Sequence, residues 1–313
     1  MAMEVVTPAH VVLLASPGAG NFIPVAELAR RIVTHRSGLF RATLVTYTNF
    51  SSANHASCLA SLPPSLRLHH FSLGALRRCQ RFTLPYMVLS SDNVRDPDGS
   101  VLYVCFGSGG TLSTKQTAEL AAGLEASGQR FLWVVRFPRD TDSSASFFGS
   151  GRGDDPVSYL PDGFVERTNG IGLCVSCWVP QLEILNHRAV GGFLSHCGWN
   201  STLEAVAAGV PTLAWSLYAE QRMNAVMLSQ RVGLALRPMT NHGEINDEGV
   251  VISREEIASA VMELMVGDKG HAAREKAREL REAAATAWAP DGPSRKAFEV
   301  VAGKWTKTAR ALR

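Results

Sequence analysis

GGFLSHCGWNSTLEAVAAGVPTLAW, residues 191–215, reads as one α/β unit. An apolar run ends at Ser195, a glycine-bearing turn follows, a helix-period segment covers 200–208, and a second apolar run opens at Val210. Alternation of this kind builds a parallel sheet. Polar residues crowd the turn, where a core would exclude them: His196, Asn200, Ser201 and Glu204. A strand's carboxyl end meets a helix's amino end there, so the first amides of the helix lack intrahelical partners and form an anion site, with Gly198 in its turn. Two readings of Ser201 and Glu204 stay open. Their spacing is that of a capping box, which would close their own helix, and it also suits a hydroxyl and a carboxylate offered to a ligand.

The same alternation extends outward. VLYVCFG (101–107), a helix from about Ser113, RFLWVVRF (130–137), GLCVS (172–176) and a helix over 220–230 complete a regular unit. Ser113 and Gln116 have capping-box spacing, and the Ser, Gly and Asp content of 139–156 predicts an exposed loop. Trp178 follows the end of GLCVS, and Glu220 and Gln221 follow VPTLAW. A stacking ring, an anion cradle and a carboxylate–amide pair at one sheet edge describe a nucleotide carrying a polyhydroxyl group, with Glu204 able to accept from both ribose hydroxyls.

Toward the N-terminus the pattern thins. HVVLLAS (10–16), a Gly turn, a helix over 23–35, RATLVTY (41–47) and one short strand at LRLHHFSL (66–73) are followed by a polar, Pro-punctuated stretch. The organisation expected is an incomplete N-terminal domain, 1–99, and a complete one, 100–313, whose last helix packs back on the first. So few strands leave apolar sheet surface uncovered.

Composition excludes several classes. With 46% hydrophobic and 19% charged residues in 313, the chain is globular rather than disordered or fibrous, and a net charge of +3 is too small for a nucleic-acid partner. The first apolar run is too short to span a bilayer and lacks a basic leader, so no transmembrane segment is expected. Six cysteines without a secretory signal suggest reduced thiols in the cytoplasm. Cys174 and Cys177 have a two-residue spacing, but the downstream His187 and His196 do not suit a zinc finger, so no metal is expected. Gly18-Ala-Gly20 opens a dinucleotide fingerprint that fails at Ile23 and has no acid after Tyr47.

The stretch from Trp178 to Gln221 resembles the plant secondary-product glycosyltransferase signature, the donor box of family-1 UDP-dependent glycosyltransferases. Residues 101–110 and 10–31 are similar to that family's donor-domain opening and N-terminal start, most closely in its phenol-glucosylating, hydroquinone-type branch. The resemblance implies a GT-B fold, α/β with two Rossmann-like domains, that takes UDP-glucose as co-substrate without a cofactor. It implies that Trp178 stacks on uracil, that Gln181 and Glu204 attend the ribose, and that His196, Gly198, Asn200 and Ser201, with Ser108 of the FGSGG loop, hold the diphosphate. Trp199, Glu220 and Gln221 would contact the sugar, the Gln favouring glucose, and the acceptor would be a small phenolic or other hydroxylated molecule.

The pattern breaks twice. The family's catalytic His follows the PGxG turn, where this chain has Asn21, a residue also suited to a mere turn. An amide has no basic nitrogen near neutral pH and cannot take a proton. The segment that would bring the Asp orienting that His has no counterpart between about Leu73 and Asp92. Weak or absent turnover is therefore expected, the alternative being a protein that binds UDP-sugar without catalysis.

Overall fold

The computed structural model describes residues 8–15, 19–35, 39–47, 66–71, 97–107, 109–140, 155–177, 179–238 and 251–311. Two compact units divide the chain: Met1–Arg81 with Ala287–Arg313, and Phe82–Thr286.

In the first unit, β1 (Ala9–Leu14), β2 (Phe40–Tyr47) and β3 (Leu66–Phe71) form a parallel sheet in the order β1-β2-β3. Helix α1 (Ala19–His35) buries Phe22, Ala26, Ala29 and Val33 against Ala42 and Leu44. The helix starts four residues earlier than the sequence suggests. Pro24 lies inside the helix, where it forfeits its own backbone hydrogen bond, and the helix nevertheless extends upstream to Ala19. Asn21 thus lies in the first turn of α1 and not in the preceding turn. Val12 and Leu14, on the other face of β1, are 63% and 66% exposed, the uncovered apolar surface expected of so small a sheet.

The second unit contains a six-stranded parallel sheet. Its strands are β4 (Val101–Cys105), β5 (Arg130–Val134), β6 (Gly172–Val175), β7 (Val190–Ser195), β8 (Thr212–Ala214) and β9 (Ala235–Leu236), arranged β6-β5-β4-β7-β8-β9. Successive residues of β4 enter opposite cores: Leu102 and Val104 pack with α2 (Thr114–Ser127), while Tyr103 and Cys105 pack with Ile184 and Ala205. Burial on both faces is why these strands read as continuous apolar runs. The strand order reverses between β4 and β7, which opens a crevice at their carboxyl ends.

The remaining helices are α3 (Phe164–Arg167), α4 (Gln181–Leu185), α5 (Trp199–Ala208), α6 (Gln221–Val226), α7 (Arg254–Val266), α8 (Asp268–Thr286) and α9 (Pro293–Ala311), the last belonging to the first unit. Three local expectations need correction. Ser113 does cap α2, accepting from the Gln116 amide at 3.2 Å, but the Gln116 side chain exchanges two hydrogen bonds with the Ile252 backbone instead of returning to its own cap. The helix expected over 220–230 becomes π-helical at Met227–Val232, a segment in which Ser229 Oγ donates to the Ala225 carbonyl. Ser201 and Glu204 form no capping box, because α5 begins at Trp199 with Gly198 as its N-cap and no side-chain cap bond. Of the loop expected over 139–156, residues 141–154 lie outside the described residues. Among the described residues no helix is long and apolar enough to cross a membrane.

Candidate functional site

At the carboxyl ends of β4, β7 and β8 the predicted residues that the structure describes fall into three clusters, with Asn21 apart in the first unit. Ser195, the last residue of β7, is buried and anchors the turn, its Oγ accepting from the Cys197 amide at 3.2 Å and its carbonyl from the Trp215 amide at 2.8 Å. Cys197 follows with φ 60°, left-handed backbone that a non-glycine residue adopts at a cost. Asn224 Nδ2 donates to its carbonyl at 2.9 Å and holds that conformation. The chain then enters α5 with Gly198 as its N-cap, which makes no side-chain cap bond, a terminus suited to an anion.

His196 lies between two glycines. A Cβ on Gly107, in the turn after β4, would come within 2.5 Å of the imidazole, and one on Gly198 would strike its Nε2. Gly107 also has φ 73°, so both its backbone and its space require glycine. Burial first, and then the positive charge of Arg136, lower the His196 pKa to about 4. The ring is therefore neutral at pH 7, and its buried Nδ1 has no hydrogen-bond partner among the described residues.

One turn along α5 is a second cluster. Gln181, the first residue of α4, donates from Nε2 to Glu204 Oε2 at 2.7 Å and to Ser201 Oγ at 2.9 Å. Burial raises the Glu204 pKa, against the Gln181 hydrogen bond. The hydroxyl of Tyr103, fully buried in β4, lies 3.5 Å from Gln181 Oε1.

The loop after β8 supplies the third part. Gln221 is buried at 4% exposure, and its Oε1 accepts from the amides of Leu217 at 2.9 Å and Tyr218 at 3.1 Å, with Ala219 between at φ 54°. Gln221 thereby shapes the loop, and the Tyr218 hydroxyl sits so close to Gly109 that a Cβ there would strike it. Trp199 is 49% exposed at the start of α5, Glu220 is exposed, and Asn200 is half-buried. Ser108 and Trp178 lie outside the described residues, as does the side chain of Asn21.

Sequence reading missed Tyr103, Arg136, Tyr218 and Asn224. Arg136 had a signal: a charge closing the apolar run 130–135. The other three look like ordinary strand, loop and helix residues. Burial lifts the Cys174 thiol to about 12, and among the described residues no group of three metal-ligating side chains occurs.

The family profile described as UDP-glucoronosyl and UDP-glucosyl transferase matches residues 91–269. The hydroquinone glucosyltransferase of Rauvolfia serpentina is 52% identical over 209 residues, 67% of this chain and 43% of that protein. UDP-glycosyltransferase 72B1 of Arabidopsis thaliana is 52% identical over 209 residues, 67% of this chain and 42% of its own length. The chain thus matches less than half the length of these two relatives. Among solved structures, Phytolacca americana UGT2 complexed with UDP-2fluoro-glucose and pterostilbene aligns with a TM-score of 0.71 at 29% identity, covering 97% of this chain and 100% of that one. The α/β architecture of parallel sheets is of the GT-B class expected from the sequence.

Proposed function

Because this chain belongs to the UDP-glucoronosyl and UDP-glucosyl transferase family, we propose that the crevice between β4 and β7 binds UDP-glucose and that the protein is a glucosyltransferase acting weakly, or not at all, on small phenolic or other hydroxylated acceptors. The observation that carries the reading is the spacing of two chemistries along α5. His196 and the helix's amino end lie at its start, and Glu204, held by Gln181, lies five residues and about 7.5 Å of helical rise beyond Trp199. An anion cradle followed by a carboxylate at that separation suits the diphosphate and ribose of one nucleotide. Trp178 would stack on the uracil, Ser108 would join His196, Asn200 and Ser201 at the phosphates, and Trp199, Glu220 and Gln221 would face the sugar.

In the reaction the acceptor oxygen bonds to the anomeric carbon as the bond to the β-phosphate oxygen breaks, inverting that centre. The electron pair leaves on UDP, where the amides of α5 and the neutral His196 receive the charge without a metal or other cofactor. The acceptor proton needs a base, and Asn21 has no basic nitrogen for it. A placed base is worth about 10²–10⁴ in rate, so turnover should fall by that order. The Rauvolfia relative supports a glucosyl donor, and the Phytolacca complex supports a small-molecule acceptor. Thiols at Cys105, Cys174 and Cys197 that are not joined in disulfides suit a cytoplasmic location.

Calorimetric titration with UDP, paired with incubation in UDP-glucose and a panel of simple phenols, tests the proposal. Binding with weak glucoside formation is expected. Binding with no glucoside favours the second reading, a non-catalytic UDP-sugar-binding protein, for which Asn21 is the specific observation. A site empty at millimolar UDP overturns both.

A further inference from the structure

Arg136 lies just beyond β5, the strand beside β4, at the edge of the sheet where the crevice opens. It is only 7% exposed, and its Nη1 donates to the carbonyl of Gly107. Gly107 in turn lies against the imidazole of His196. Three residues from three segments, 136, 107 and 196, are thus in continuous contact behind the start of α5. We propose that Arg136 is a positioning residue of the donor site, holding the Gly107 turn beneath His196 and placing a fixed positive charge behind the position of the nucleotide's phosphates.

The inference rests on the reading of this crevice as a UDP site, and two physical considerations support it. Burying a guanidinium is expensive, yet Arg136 keeps its charge: burial lowers its pKa only to about 10, so it is cationic at pH 7. That charge reaches the site, since it is one of the causes, after burial, that hold His196 neutral. The amino end of α5 adds a second positive potential on the same side. Two positive sources converging on one crevice favour an anion there, and the guanidinium provides from protein the charge that a bound cation supplies elsewhere.

Calorimetry with uridine, UMP and UDP on the full chain tests this, using wild type, Arg136→Gln and Arg136→Lys, with melting temperatures alongside. Arg136→Gln should weaken UDP about tenfold or more and change uridine less than about threefold. Arg136→Lys, which keeps the charge but loses the planar fork, should hold the UDP-to-uridine preference within about threefold of wild type. Equal losses for uridine and UDP, or no loss, would make Arg136 a structural support only and overturn the inference while leaving the UDP site standing. Should Arg136→Gln not fold, Arg136→Lys decides: a collapsed preference for UDP overturns the inference. Failure of the wild type to bind UDP removes the functional reading itself, and this inference with it.

Discussion

Gln181 bridges Glu204 and Ser201 through a single amide nitrogen, at 2.7 and 2.9 Å, although it lies 23 and 20 residues from them in sequence. The carboxylate is thereby aimed by a neighbouring helix and takes no part in capping its own.

Glu204→Gln should accordingly change stability by less than about 1 kcal/mol, since no cap is lost. UDP affinity should fall about 10- to 100-fold, as expected when a charged acceptor of two hydroxyls is neutralised. Chemical denaturation and calorimetry on the same preparation separate the two. Unchanged affinity would return Glu204 to a structural role.

Gly107→Ala sets an L side chain on left-handed backbone, φ 73°, and a Cβ in the imidazole's space. Gly170→Ala is the matched control, with φ 88° but nothing within 4 Å of the added carbon. Each should cost about 1–3 kcal/mol through backbone strain. Only Gly107→Ala should also abolish UDP binding, and equal affinities in the two variants would argue against His196 as a ligand.

Stability should depend on pH through His196. Its folded pKa, about 4, lies below the ordinary 6.5, so between these values the unfolded chain binds the extra proton and stability rises with pH. The penalty is absent above about pH 6.5 and complete below about pH 4. Near pH 5 it should amount to about 2 kcal/mol relative to pH 7.5. Urea midpoints at the two pH values, in wild type and His196→Gln, should show this difference shrinking in the variant; an identical slope in both would assign the dependence elsewhere.

Asn21→His restores a base at the start of α1 without its orienting acid. Glucoside formation should rise less than about tenfold, well short of the ~10²–10⁴ of a placed base. A larger rise would show that the imidazole alone was missing.

Excess EDTA should leave UDP affinity unchanged, because the proposed phosphate partners are the α5 amides with His196, Ser108, Asn200 and Ser201, and Arg136 supplies the positive charge behind them. A chelator-sensitive affinity would require a cation in the site.

Much of the fold was legible. Strands buried on both faces announce themselves as unbroken apolar runs, and β4, β5, β6 and β7 fall within a few residues of where VLYVCFG, RFLWVVRF, GLCVS and GGFLS place them. Boundaries were less so. The start of α1 at Ala19 and the π-helical segment Met227–Val232 are backbone details that hydrophobic periodicity does not register.

The sequence by itself determined the strand–turn–helix unit around His196 and the kinds of chemistry gathered at its turns, because hydrophobic period and terminal amides are local properties. Tertiary structure decided which groups meet. The packing of α4 on α5 turned an apparent Ser201–Glu204 cap into a cluster led by Gln181, and the adjacency of β5, β4 and β7 set Arg136 behind Gly107 and Gly107 against His196. Contacts across 20 to 90 residues depend on strand order and helix packing, which no local pattern encodes.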